Sequence, residues 1–167
     1  MMNRGTAQAG QKGFTLIELL VVLAILVTIL LIALPDYLNT IVPEHRIRAA
    51  ARDVMTDMRY ARMRSVSRNL EYRITFSPGT DSYIIEAGNR SRASDTWTQE
   101  GTTRNFSNPG NPFFHSQVGL DTGTTASVLY RPTGEVMPAP TVQLSHPKAG
   151  TWRVYGSLAG RVRLEKG

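Results

Sequence analysis

Two kinds of residue stand out as able to do chemistry in this 167-residue chain. The first is Glu18, the only charge in an apolar run from Phe14 to Leu34. A carboxylate inside a membrane span costs on the order of 2.5 kcal/mol or more, so it needs a partner and a purpose. The second is the terminal pair Arg161 and Arg163 behind Gly160, with Arg153 nearby. On a strand, Arg161 and Arg163 project from one face, Gly160 permits close backbone approach, and two adjacent guanidinium groups bind phosphates bidentately. The same pair also reads as an edge strand protected by charge. Trp152 and Tyr155 are the only aromatics beside these arginines, thin support for base stacking.

No convergent catalytic set accompanies them. His45, His115 and His146 lack metal-ligand spacing, and there is no Gly-x-Ser-x-Gly, phosphate-binding glycine loop or His-Glu-x-x-His. The acidic residues after position 69 are scattered, and Glu71 and Glu86 are expected to be solvated. The absence of cysteine excludes a disulfide framework and a thiol nucleophile. The chain reads as a non-enzyme with no cofactor and no metal.

The elements that must position these groups follow from the pattern. Residues 1–12 are polar, contain Arg4 and Lys12 and no acid, and read as a disordered leader with a cytoplasmic amino end. The 21 residues 14–34 would span roughly 30 Å as a helix, the thickness of a bilayer core. A secretory signal is the rival reading, but its apolar core is typically about 7–15 residues long and ends in a small-x-small site, whereas this run ends in Leu34-Pro35-Asp36. A retained anchor is therefore expected. Pro35 should end or kink the helix, and Pro43 should mark a second kink or a first turn.

Residues 35–68 read as an amphipathic continuation. Ile47, Ala51, Val54, Met58, Ala61 and Ser65 recur at helical spacing and mark a packing face. Seven arginines against three carboxylates give residues 44–68 a net charge of +4. That basic face is either solvated, with intrahelical pairs involving Asp53 and Asp57, or a contact for acidic partner subunits, lipid head groups or nucleic acid. From residue 69 the period becomes two. Tyr72–Phe76 and Ser82–Glu86 predict a hairpin, short strands are expected at Trp97–Thr102 and Phe113–Val118, and further strands at Ala126–Tyr130 and Thr141–Leu144. Trp152–Tyr155 and Arg161–Leu164 predict a terminal hairpin. The fold class is α+β, a long amino-terminal helix packed on an antiparallel β-head of residues 69–167. Charge is concentrated late: residues 121–167 carry +3 and residues 69–120 carry −1.

The segment Lys12-Gly13-Phe14-Thr15-Leu16-Ile17-Glu18-Leu19-Leu20-Val21-Val22 resembles the leader and first helix of type IV pilins and type II secretion pseudopilins. The resemblance implies removal of residues 1–13 by prepilin peptidase after Gly13 and N-methylation of Phe14. It implies that Glu18, the fifth mature residue, meets the amino terminus of a neighbouring subunit, with Pro35 at the familiar kink position. Phe76-Ser77-Pro78-Gly79 and Gly160-Arg161-Val162-Arg163, with the lack of paired cysteines, are similar to the GspH/FimT group of minor pilins and pseudopilins. That similarity implies a subunit initiating or capping a type IV pilus-like filament. It sits first in the bacterial inner membrane with a periplasmic head, then in the pilus or pseudopilus. Its partners would be other pilin or pseudopilin subunits, prepilin peptidase, the membrane and, in competence-associated members, double-stranded DNA held by Arg161 and Arg163 during natural transformation. The rival implication is a secretion pseudopilin binding partner pseudopilins or exported protein.

Overall fold

The computed structural model describes residues 14–167; the expected leader and the Gly13 cleavage position lie outside the described residues. The chain divides into two compact units between Leu38 and Asn39.

In the first unit, helix α1 runs over Leu16–Asp36. Thr15 is its N-cap, in extended geometry, and its hydroxyl accepts the Glu18 N–H at 3.2 Å. Glu18 thus stands at the third position of a Thr-x-x-Glu capping sequence, where a carboxylate also faces the positive end of the helix dipole. Thr28 returns its hydroxyl proton to the Ala24 carbonyl at 2.7 Å, which satisfies the one other polar side chain between Phe14 and Leu34 apart from Thr15 and Glu18. Every residue from 14 to 34 is exposed. The helix is long and apolar enough to cross a membrane. Pro35 does not end it: α1 continues to Asp36, and Tyr37–Ile41 follow as a π-helical turn. Proline has no N–H for the Leu31 carbonyl, and the displaced hydrogen-bond register is taken up by the wider turn just after it.

In the second unit, α2 (Val42–Arg68) carries Pro43 in its first turn and ends at Asn69, whose left-handed backbone (φ 54°) lets its N–H bond the Ser65 carbonyl. Asparagine tolerates that conformation better than most residues. The predicted face is the buried one: Ile47, Ala51, Val54, Met58, Ala61 and Ser65 are inaccessible to solvent, together with Ala50. The alanines let the helix approach two antiparallel sheets closely.

The strands are β1 (Tyr72–Ser77), β2 (Ser82–Gly88), β3 (Trp97–Gln99), β4 (Arg104–Asn105), β5 (Gly119–Leu120), β6 (Ser127–Tyr130), β7 (Val136–Met137), β8 (Thr141–His146), β9 (Gly150–Gly156) and β10 (Val162–Lys166). One sheet has the order β3-β2-β1-β6-β7 with β4 also on β2, and the other β10-β9-β8-β5. Tyr72, Ile74, Tyr83, Ile85 and Val128 from the first and Val142, Leu144, Trp152 and Val154 from the second form one core with α2.

The expected hairpins over 72–86 and 152–164 are present; the first strands extend further than expected, and the last runs over Val162–Lys166 instead of from Arg161. The strand expected at Phe113–Val118 is absent. Asn105 Oδ1 accepts the N–H groups of Ser107 and Asn108 at 2.9 and 2.8 Å, and Asn111 Oδ1 accepts that of Phe113 at 3.0 Å. Within 113–118, the Phe114 N–H likewise turns back to the Asn111 carbonyl and the Val118 N–H to the His115 carbonyl, each at 3.0 Å, so local turns consume donors a ladder would need. The strand expected at 97–102 stops at Gln99, before Gly101 at φ 80°.

Glu71 and Glu86 are buried, not solvated. Glu71 accepts the Ser94 N–H at 2.8 Å and lies 4.0 Å from Arg131. Glu86 is held bidentately by Arg73 at 2.6 and 3.0 Å, and by the Thr75 hydroxyl. Arg73, first among the causes, keeps Glu86 below its ordinary pKa against the opposing effect of burial. The intrahelical pairs expected on α2 are likewise replaced by long-range ones. Asp57 accepts from Tyr83 at 2.8 Å and Arg104 at 2.9 Å, Asp53 meets His115 at 2.7 Å, and Glu44 meets Lys166 at 3.0 Å.

Glu100 closes the carboxy-terminal end of α2 onto the first sheet. Its oxygens accept the hydroxyls of Tyr60 and Tyr72 at 2.6 Å each, and Arg64 at 2.9 and 2.7 Å. Burial is the largest influence and pushes this carboxyl up, but the combined hydrogen bonds and the Arg64 charge outweigh it and hold the group at about 2. A depressed folded-state pKa stabilises the fold fully above the unfolded value and loses that contribution as the carboxyl protonates. Stability should therefore fall by on the order of 3 kcal/mol as pH drops from about 4.5 to about 2. Glu100→Gln should remove that portion of the pH dependence, read by urea titration of the detergent-solubilised chain through tryptophan fluorescence.

Candidate functional site

Two places carry the residues singled out from the sequence. In the first unit Phe14, Glu18, Leu19 and Val22 surround a shallow recess with no polar lining other than Glu18 itself. The Glu18 carboxylate has no hydrogen-bond or ion-pair partner among the described residues. Phe14 precedes the Thr15 cap, so its backbone nitrogen belongs to the start of the helix, the end that attracts negative charge.

The other place is the terminal hairpin of the second unit. Its turn is closed by Ser157, whose N–H donates to the Arg161 carbonyl at 2.9 Å while its hydroxyl accepts the Arg161 N–H at 3.1 Å. Arg161 therefore closes the turn instead of beginning the strand, a correction to its expected place on β10. In β10, Arg163 stands opposite Tyr155 and Glu165 opposite Arg153. Alternation puts Val162 and Leu164 against the core and leaves Arg163 and Glu165 outward.

Arg161 and Arg163 are nonetheless brought together, for both line a recess with Tyr155, Gly156, Ser157 and Ala159. Neither guanidinium is engaged by another described residue. Arg153 is held differently: its Nε donates to Gln143 at 3.3 Å, and Gln143 in turn donates to Asp121 at 2.9 Å. It therefore belongs to a polar ladder across β9 and β8. The strand β10 is an edge strand, so the protective role of its charges is compatible with this geometry.

Gly160 does not leave its backbone open to a ligand. Its φ is +75°, and a Cβ there would collide with the Arg62 side chain of α2. Arg62 is itself fixed by donating from Nε to the Gly134 carbonyl at 3.2 Å. The glycine is thus required by an intramolecular approach that spacing alone could not disclose. The histidines are dispersed: His45 is exposed, His115 pairs with Asp53, and buried His146 accepts the Lys148 N–H at Nδ1. Burial is the first cause lowering His146, followed by Arg46 and Lys148. No cluster of three or more metal-ligating side chains occurs among the described residues.

Asp57, expected in an intrahelical pair, lies three residues after Val54 and four before Ala61 and so sits on the apolar stripe. A carboxylate in that position signals a buried partner. Gly160→Ala should destabilise the fold by about 1–3 kcal/mol through the left-handed backbone and the collision with Arg62. In an Arg62→Ala background the loss should shrink to about 1 kcal/mol, the backbone part alone, as measured by a double-mutant cycle of urea midpoints.

Comparison with known proteins bears on both places. The motif described as Prokaryotic N-terminal methylation motif matches residues 8–34. Among solved structures, the chain's fold resembles the minor pseudopilin EpsH from the type 2 secretion system of Vibrio cholerae. The identity is 14%, the TM-score 0.53, and the match covers 72% of this chain and 97% of that one. It also resembles the type IV minor pilin FimU of Pseudomonas aeruginosa at 16% identity and TM-score 0.52, covering 72% and 89%. No curated protein matches by sequence. The profile of the family described as Type II transport protein GspH covers residues 50–160, from the buried face of α2 to the glycine of the terminal turn, and the chain belongs to that family.

Proposed function

We propose that this protein is a minor pilin or pseudopilin subunit that initiates or caps a type IV pilus-like filament. The observation that carries this reading is α1. Residues 14–34, from just before its cap, are all exposed, and the single charge among them, Glu18, has no partner among the described residues. A buried anion becomes affordable when a charged partner arrives, and an ion pair between subunits would both offset desolvation and set register. After cleavage following Gly13, the N-methylated amine of Phe14 on a neighbouring subunit is the partner. Before assembly the chain sits in the inner membrane by residues 14–34 with its head, residues 69–167, in the periplasm; residues 35–68 link the two and carry the packing face. Its work is assembly, with no catalysis.

Glu18→Ala should leave membrane insertion intact and cut incorporation into filaments, scored by comparing membrane and sheared-filament fractions. Normal incorporation of that variant would remove the assembly role from Glu18.

A second reading is favoured by the unengaged Arg161 and Arg163 in one recess. They would hold backbone phosphates of double-stranded DNA during uptake, with Arg153 adding charge on the same face and Gly160 setting the turn. The secretion alternative, in which the head meets other pseudopilins or exported protein, draws on the family description. Under the DNA reading, binding falls with salt. Replacing both Arg161 and Arg163 with Ala should weaken it across sequences and reduce the salt slope by about 2. Absence of binding by the solubilised wild-type chain at low salt, in an electrophoretic or anisotropy titration, would favour the secretion reading.

A further inference from the structure

The outward side of α2 is used by neither the core nor the terminal recess. Arg52, Arg59, Met63 and Val66 fall at helical spacing on that side and are all exposed, Met63 to 61% and Val66 to 53%. Arg59, Arg62, Met63, Val66 and Gly160 line a largely apolar groove beside the β9–β10 turn, where Leu158 is also exposed. From Arg52 to Val66 the stripe extends about 21 Å along the helix, cationic at one end and apolar at the other.

The carboxylates of α2 offer nothing to balance it. Asp57 is enclosed with Arg104, Asp53 faces His115 and Glu44 faces Lys166. The arginines nearer the helix end are partly spoken for: Arg64 and Arg68 serve Glu100, and Arg62 serves Gly134. Arg52 and Arg59 have no partner among the described residues. A second copy of this chain, presenting the same stripe, would set arginine against arginine in a parallel pairing and against Met63 and Val66 in an antiparallel one, leaving the guanidinium groups without an anion either way, which disfavours like-with-like packing.

We propose that this stripe docks an amphipathic helix of a chemically different subunit, one with carboxylates along the edge that meets Arg52 and Arg59 and aliphatic side chains that enter the groove at Met63 and Val66. The inference rests on the assembly reading above and deepens it by naming the chemistry of the neighbour. Helix against helix suits the geometry because the stripe is straight and ridged, and the flexible Met63 thioether adapts to an incoming apolar side chain. The arginines supply orientation and discrimination, and the groove supplies the apolar contact that outlasts salt.

The test uses the detergent-solubilised full chain and two synthetic amphipathic helices, one with Glu and Leu on its contact face and one with Lys and Leu. Fluorescence anisotropy should show the Glu–Leu helix binding at least about tenfold more tightly than the Lys–Leu helix, with the difference shrinking as salt rises. Arg52→Glu with Arg59→Glu should reverse the preference, and Val66→Asp should weaken both complexes; all three sites are exposed, so the fold is retained. Equal binding of the two peptides, binding insensitive to these variants, or no binding would overturn the proposal. So would self-association of the wild-type chain that Val66→Asp abolishes, or a preference for duplex DNA over the Glu–Leu helix that the double arginine reversal removes. Glu18→Ala leaves this binding untouched, so loss of the assembly role and loss of the docking role are read separately.

Discussion

The head depends on a carboxylate buried in the face of a helix. Asp57 lies among Val54, Met58 and Ala61, where an ion would be prohibitively desolvated without compensation. The Tyr83 hydroxyl and the Arg104 guanidinium supply it from two different strands of one sheet. Arg104 is then fixed further by the Thr102 carbonyl at 2.7 Å and lies over Phe113. One acidic side chain thereby fixes the rotation of α2 about its axis, the place of β4 beside β2, and the loop that follows. One turn earlier, Asp53 repeats the device with His115, whose ring also packs on Phe106. A purely apolar stripe could slide or rotate at modest cost, whereas these two acids admit one register.

The same economy governs charge elsewhere. The second unit draws most of its carboxylates inward or into pairs: Glu71 toward Ser94 and Arg131, Glu86 onto Arg73, Glu100 onto two tyrosines and two arginines. Arg73 completes its set by lying 4.3 Å from the Trp97 ring centre. Positive charge remains outside, in part on the outward side of α2 and at the terminal hairpin. Two of these cationic surfaces, Arg52 with Arg59 and Arg161 with Arg163, lie on elements that meet at the β9–β10 turn, where Gly160 approaches Arg62. Surfaces of one sign discriminate among partners more than they stabilise the fold.

The first unit poses the opposite problem. Its apolar run, residues 14–34, has one carboxylate, a surface of aliphatic side chains, and no fold of its own in which to bury either. The Thr15 cap meets one backbone requirement, but no described residue pairs the Glu18 carboxylate or covers the aliphatic surface.

What the sequence determined by itself was whatever local chemistry decides. The uninterrupted aliphatic run specified α1, the three-four spacing from Ile47 to Ser65 specified the buried face of α2, and alternation specified the two hairpins. The isolation of Glu18 was also legible, because no residue near it in sequence could offset it. Tertiary structure decided whatever depends on residues far apart in the chain. It placed Asp57 beside Arg104, gathered Tyr60, Arg64 and Tyr72 around Glu100, buried Glu71 and Glu86, and turned Gly160 from an opening for ligands into the seat of Arg62. It also moved Arg161 off the strand, since the Ser157 hydroxyl captures its N–H, and replaced a strand at Phe113–Val118 with asparagine turns. A charge in sequence has no sign of its future partner: pairing is set by which strands a helix face meets, and that is known only when the chain has folded.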